Sequence, residues 1–279
     1  MKKIGGGVLF FWKDEYIEDW AHFEKFITEL NSPEWIFRGQ RSASWDIRTS
    51  FYRELNSLST IDKSLAFKYE NSIVQDFTGS YKLYDNLYEF PKSDDIYTAY
   101  GYTEDYLEKL SILQHYGAPT RLLDWTFSPY IGVYFGLDGA NENFCVYALN
   151  SWKLQEMAKA RLQEHYFKFK NNINLMGNAE FVFTYVPKQT NRRIRVQQGL
   201  FLVPSVLDKT IDDILLNNYE VIDGITTDGS LVGIKFIFNQ NAINSCWKKL
   251  QQMNITPETI YPGFEGFCKS LKLNILSPK

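Results

Sequence analysis

Leu113-Gln114-His115-Tyr116-Gly117-Ala118-Pro119-Thr120-Arg121-Leu122-Leu123-Asp124-Trp125-Thr126 is the stretch on which the reading of this chain turns. An arginine, an aspartate, a histidine, a tyrosine and a tryptophan crowd around a Gly-Ala-Pro-Thr turn signal. Gly117 and Pro119 punctuate the backbone, so the middle of the stretch is a shaped loop and not a helix interior. Most loops are small and polar, whereas this one carries bulky groups with hydrogen-bonding tips. It is either a buried structural corner or the wall of a pocket. Just upstream, Tyr106, Leu107, Leu110 and Leu113 fall at helical spacing, so a helix over residues 104–115 delivers the chain to His115.

A second segment, Trp35-Ile36-Phe37-Arg38-Gly39-Gln40-Arg41, reads as a short strand that ends in Arg-Gly-Gln. Arg38 follows an apolar run and precedes a glycine, so its guanidinium stands where the strand leaves the sheet. That placement suits a fork aimed at phosphate or carboxylate. Together the two segments resemble the FRG domain, a family named for its Phe-Arg-Gly motif, here Phe37-Arg38-Gly39. Gln114 to Thr126 is similar to the family's second hallmark. Arg195-Val196-Gln197-Gln198-Gly199-Leu200-Phe201 and Ile260-Tyr261-Pro262-Gly263-Phe264-Glu265-Gly266 match it more loosely. The resemblance covers nearly the whole chain, and it implies a bacterial defence or toxin role against phage or a competitor.

The 279 residues suffice for one large domain or two small ones. Without a Gly/Ser/Pro linker or an internal repeat, the expectation is one α+β domain over residues 1–279. Its core motifs run from about 33 to 270, with a helical or lid insertion at about 54–110. Its mixed or antiparallel core sheet is flanked by helices. A net charge of -3 argues against a protein that wraps nucleic acid through bulk electrostatics. Cys145, Cys246 and Cys268 are sparse and lack ligand spacing, which excludes a zinc motif and fits a reducing compartment. No apolar run reaches the length of a membrane span, and the Met-Lys-Lys start is interrupted at Asp14 and Glu15. The expectation is a soluble, cytoplasmic protein with no membrane partner and no metal.

Periodicity predicts helices over 16–30, 64–79, 128–137 (Ser128 as N-cap, Pro129 in the first turn), 151–175 and 242–253. It predicts strands at 143–149, 181–186, 193–203 and 231–238. Ser50-Phe51-Tyr52-Arg53 opens a polar connection, and tyrosine-rich residues 80–97 read as irregular. Arg192, Arg193 and Arg195 form either a local basic pocket or, as the favoured reading, a solvated strand face.

The chemistry-bearing residues each keep two readings. Arg38 either caps carbonyls or pairs with Asp124 inside the fold, or it clamps a phosphate; Gln40 and Arg41 can widen that site. His115 is a general acid or base, or a core histidine tying loop carbonyls. Arg121 and Asp124, three apart, can pair and shape the loop. Trp125 is core, or an aromatic that stacks on a base or nicotinamide ring. A Gly-x-Ser-x-Gly elbow is absent, and Gly5-Gly6-Gly7 lacks the lysine of a phosphate loop.

The order of the motifs also resembles the arginine-serine-glutamate class of ADP-ribosyltransferases. That resemblance implies a split core sheet, NAD as substrate, and Arg38 on the first core strand holding the dinucleotide. Thr126 and Ser128 would line the pocket, and Gln198 would stand where the class has glutamate. Gly39, Gln40, Tyr116, Arg121 and Trp125 complete the expected nucleotide site. Gln198 cannot ionise, so either transfer is weak or another carboxylate substitutes, with Asp124 first and Glu180 and Glu265 behind it. The expected catalytic set is Arg38, His115, Asp124 and Gln198, and it requires Gln198 to face Arg38. Against this enzyme stand a non-catalytic nucleotide sensor or protein-interaction module, with a protein target or regulator as partner, and a nucleic-acid enzyme, which the acidic charge disfavours.

Overall fold

A computed structural model describes residues 3–4, 7–8, 10–30, 32–58, 62–83, 103–188 and 192–271. Seven strands, most of them largely buried, pair into one mixed sheet. They are β1 (Lys13–Ile17), β2 (Trp35–Gln40), β3 (Leu123–Thr126), β4 (Phe144–Asn150), β5 (Val182–Tyr185), β6 (Gly199–Pro204) and β7 (Gly233–Phe238). Their order across the sheet is β1-β7-β4-β2-β3-β6-β5. β1 runs parallel to β7; the other neighbours are antiparallel. The mixed α+β architecture expected from the sequence is therefore the observed one.

Side-chain alternation gives the sheet two cores. Ile36, Trp125, Tyr147 and Leu149 face one of them. There they meet Val74 of α3 (Ala66–Ser80), Leu107 and Leu110 of α4 (Thr103–His115), and Leu154 of α6 (Ser151–Leu162). Phe37, Val146 and Ala148 face the other. They pack with Phe23 of α1 (Trp20–Glu29), Val133 and Tyr134 of α5 (Pro129–Leu137), and Leu250 of α11 (Ile243–Gln252). These labels count α2 (Ser50–Ser57), α7 (His165–Asn171), α8 (Ile173–Met176), α9 (Arg192–Val196) and α10 (Ile211–Asn218) in chain order. α12 (Pro257–Ile260) and α13 (Phe264–Ser270) follow α11. Among the described residues no helix is long and apolar enough to cross a membrane.

α5 is the helix that fixes β2. Ser128 caps it by accepting from the Ile131 amide at 3.3 Å, with Pro129 in the first turn, as its sequence predicts. It is apolar almost all round, as a helix buried in a core must be. It lies so close to β2 that a Cβ on Gly39 would collide with the Gly132 carbonyl and the Gly136 amide. The glycine of Phe-Arg-Gly is thus required by helix-on-strand contact.

The split sheet implied by the transferase resemblance is not present as two sheets. The core is a single seven-stranded sheet, but its middle seam is slight: β2 and β3 share a single registered pair, Phe37 with Thr126. By contrast β2 holds β4 through six pairs, from Trp35 with Asn150 to Gln40 with Cys145. Beyond Phe37 the strands part.

Several sequence expectations are corrected. Residues 13–17 form a strand because pairing with β7 overrides local helical spacing, and α1 begins only after Asp19, whose carboxylate accepts from the His22 amide at 2.8 Å. Residues 50–53 open α2, capped by Thr49. Residues 151–175 break into α6, α7 and α8. Residues 192–196 are helical, so the strand expected from 193 starts at Gly199. Residues 84–102, within the expected lid, lie outside the described residues.

Arg121 is corrected most sharply. It is among the most buried side chains of the molecule and pairs with Glu70 of α3, not with Asp124. Its Nε donates to both Glu70 oxygens at 2.9 Å, and Nη1 reaches the carbonyls of Pro204 at 3.4 Å and Ser205 at 3.3 Å. The pair fastens α3 to the end of β6. Removing one member leaves an uncompensated buried charge, which costs about 3–5 kcal/mol. Glu70→Ala is therefore expected to lose that much stability in urea unfolding. The double variant Glu70→Ala/Arg121→Met is expected to recover a large part of it; a double variant no better than the single one contradicts the charge argument.

Candidate functional site

A cavity of about 300 Å³ opens where β2 and β3 part. Arg38 stands at its seam. In place of a ladder bond, its Nη1 donates to the main-chain carbonyl of Asp124 at 2.6 Å. Its Nε is buried without a hydrogen-bond partner. Burial pulls its pKa below the ordinary arginine range, and the Asp124 carboxylate opposes that pull. A guanidinium stays charged even so. A buried, charged N–H with no acceptor beside a cavity is suited to an anionic ligand.

Asp124 and Trp125 come from β3. The Asp124 carboxylate accepts from the Gln114 amide at 2.9 Å, and the Gln114 oxygen accepts from the Thr120 hydroxyl. This chain orients both side chains on the cavity wall. Trp125 is buried, and its indole N–H has no partner. Thr126 donates to the Gln197 carbonyl at 2.8 Å and so ties β3 to the turn before β6.

α4 brings His115 and Gln114 to the same wall. It closes with Gly117 in the left-handed region, φ 88°, while the Ala118 and Gly117 amides donate to Leu113 and Gln114 carbonyls at 2.9 and 3.0 Å. The His115 ring is half-buried, and its pKa lies below the ordinary histidine value. Burial is the main cause, Arg193 adds to it, and Glu265 opposes it.

α9 completes the cavity with Arg193, Ile194 and Gln197, while Phe37, Phe135 and Phe201 supply apolar surface. The Arg193 guanidinium lies 4.7 Å from the centre of the Tyr261 ring, and the Gln197 amide donates to the Ile260 carbonyl at 3.3 Å. The C-terminal Ile260-Tyr261 step thus holds the α9 side of the site. The basic triplet is not a solvated strand face: its middle member lines the cavity.

The structure gathers Arg38, Gly39, His115, Asp124, Trp125 and Thr126 on one cavity, and leaves out the other expected residues. Gln198 is exposed, with φ 46°; its amide donates to the Arg195 carbonyl at 3.1 Å and its carbonyl accepts from the Phe127 amide at 3.0 Å. It serves the turn between α9 and β6, and the neighbouring Gln197 takes the wall. Tyr116 is exposed, Arg121 lies in the core, and Ser128 caps α5. The Gln40 amide donates to the Trp45 carbonyl at 3.0 Å, outside the cavity. Of the reserve carboxylates, Glu180 pairs with Lys209, and Glu265 pairs with Lys269 at 2.8 Å. Sequence reasoning missed Gln197, and it weighed Arg193 for a basic pocket but favoured a solvated face. The Gln198-Gly199 step after a basic turn is a helix-stop signal that could have revealed α9. Among the described residues no group of three or more His, Cys, Asp or Glu is placed to hold a metal ion.

Residues 33–144 match the sequence model of the FRG domain. The FRG segment contains β2, α4, β3 and α5, and with them Arg38, His115, Asp124 and Trp125. Arg193 and Gln197 lie beyond it, so the cavity is closed by residues outside the matched segment. No curated protein and no solved structure gives a significant match to the chain.

The electrostatics of His115 are directly measurable. Titration followed by NMR is expected to give a midpoint below about 6.5. Arg193→Ala is expected to raise that midpoint, though burial still holds it below the free value. An unchanged midpoint in the variant would place Arg193 away from the ring.

Proposed function

We propose that the cavity binds a nucleotide, foremost NAD, and cleaves its nicotinamide–ribose bond. The observation that carries this reading is the buried, unpartnered Nε of Arg38 on the wall shared with Trp125 and Asp124. Arg38, with Arg193 opposite, supplies charge for a phosphate; the aromatic walls take a planar ring. The FRG match supports the family-level reading, and we propose a defence or toxin role with it.

In the simplest reaction water is the acceptor. The C1′–N bond breaks, nicotinamide leaves with the bonding pair, and the water oxygen bonds to C1′. The Asp124 carboxylate stabilises the cationic sugar, and His115, neutral at pH 7 through its lowered pKa, takes the water proton. Transfer to a protein acceptor differs only in the nucleophile. Gln198 has no part in this scheme, because it stands outside the cavity.

The alternative is a sensor that binds without turnover. The hydrogen bond that the Asp124 carboxylate already accepts from Gln114 favours it. Purified protein incubated with NAD decides between them through nicotinamide release, with binding measured in parallel. Release is expected from the native chain, with loss of binding in Arg38→Ala. Asp124→Asn is expected to lower the rate by about 100-fold or more at little cost in affinity. The rate is expected to fall on the acid side of about pH 6.5, where His115 gains its proton. Binding without release selects the sensor; neither binding nor release removes the nucleotide reading.

A further inference from the structure

The cavity does not end at Arg38. A larger, open hollow of about 720 Å³ shares Arg38, Gly39 and Phe135 with it, so the two adjoin at β2. Arg41, Arg48, Arg53 and Trp45 line this second hollow. Its carboxylates are Asp46 and Asp138, and Asp46 is taken by Arg48 at 2.6 Å. Arg41 and Arg53 have no ion pair among the described residues. Arg53 is set by one bond, from its Nη1 to the Arg48 carbonyl at 3.0 Å. The hollow therefore keeps uncompensated positive charge in a chain of net charge -3.

Trp45 is the second observation. The residue is 49% exposed. Its backbone is nonetheless held firmly. The Trp45 carbonyl accepts from the Gln40 amide at 3.0 Å and from the Tyr147 hydroxyl at 3.3 Å. The Arg41 guanidinium lies 5.4 Å from the centre of its ring. The Arg41 guanidinium lies over this half-exposed ring, and an aromatic ring beside guanidinium groups is suited to stacking a base next to a phosphate. Meanwhile the first cavity, at about 300 Å³, sits at the low end of small-molecule sites, which run from roughly 300 to 1,000 Å³.

We infer that the two hollows are halves of one site for a dinucleotide joined through a diphosphate. The nicotinamide–ribose half occupies the cavity, the diphosphate crosses the seam along Arg38 and Arg53, and the distal base stacks on Trp45. This rests on the nucleotide reading of the cavity and adds the subsite for the other half of the ligand. The free charge on Arg41 and Arg53 and the exposure of Trp45 then have one purpose, and a mononucleotide uses only part of the site.

Calorimetric titration of the full chain with NAD and with nicotinamide mononucleotide tests the inference. NAD is expected to bind at least about tenfold more tightly than the mononucleotide. Trp45→Ala is expected to remove most of that advantage and to leave mononucleotide affinity within about twofold. Arg53→Ala is expected to weaken NAD and to flatten the dependence of its affinity on salt. Both side chains are exposed, and unchanged melting temperatures verify that the variants fold. Equal affinities for the two ligands, or an NAD affinity indifferent to both substitutions, overturn the second subsite while the nucleotide cavity stands. Binding of neither ligand overturns both.

Discussion

The structure depends on an interrupted strand ladder. β2 and β3 are neighbours in one sheet, yet they exchange a single registered pair before they part. The strand that parts carries Arg38, and its guanidinium satisfies the Asp124 carbonyl in place of a ladder bond. A main-chain carbonyl that leaves a strand ladder needs another donor. Supplying it from a charged side chain lets the sheet open without an orphaned acceptor. The cost is a second guanidinium N–H left unpartnered at the rim of the opening. The bond that holds the seam together also makes the site.

The rest of the fold holds that seam in shape. On one face, α5 presses so closely on β2 that position 39 has no room for a side chain. On the other, the buried Glu70–Arg121 pair fastens α3 to the end of β6, and the Gln114 bridge fastens α4 to Asp124. Only two of the motif's charged residues bear on the cavity. Arg38 and Asp124 line it, while Arg121, three residues away from Asp124, is spent on the core. Neighbours in a motif thus have unlike physical roles: Arg121 lies before β3 begins and meets Glu70, Pro204 and Ser205, whereas Asp124 is carried by β3.

The errors of the sequence reading share a cause. Arg193 to Val203 carries apolar residues at both helical and strand spacing, and only contact with Tyr261 and pairing with β3 divide it into α9 and β6. Gln198 falls at that division, in a left-handed conformation, so it faces outward while Gln197 faces the cavity. A shift of one residue exchanges the two glutamines, and a motif aligned by order alone cannot resolve it. Lys13–Ile17 likewise becomes a strand through a partner more than 200 residues away.

By itself, the sequence determined the α+β class, the helix that ends at His115, and the Ser128–Pro129 start of α5. These follow from local spacing, capping and turn chemistry, which residues a few positions apart can express. Only the tertiary structure decided that Arg121 belongs to Glu70, that Gln197 and Arg193 line the cavity, and that a second arginine-lined hollow adjoins it. Each of those depends on which distant side chain lies within hydrogen-bonding or stacking distance. That is set by packing across the sheet, and no local pattern encodes it.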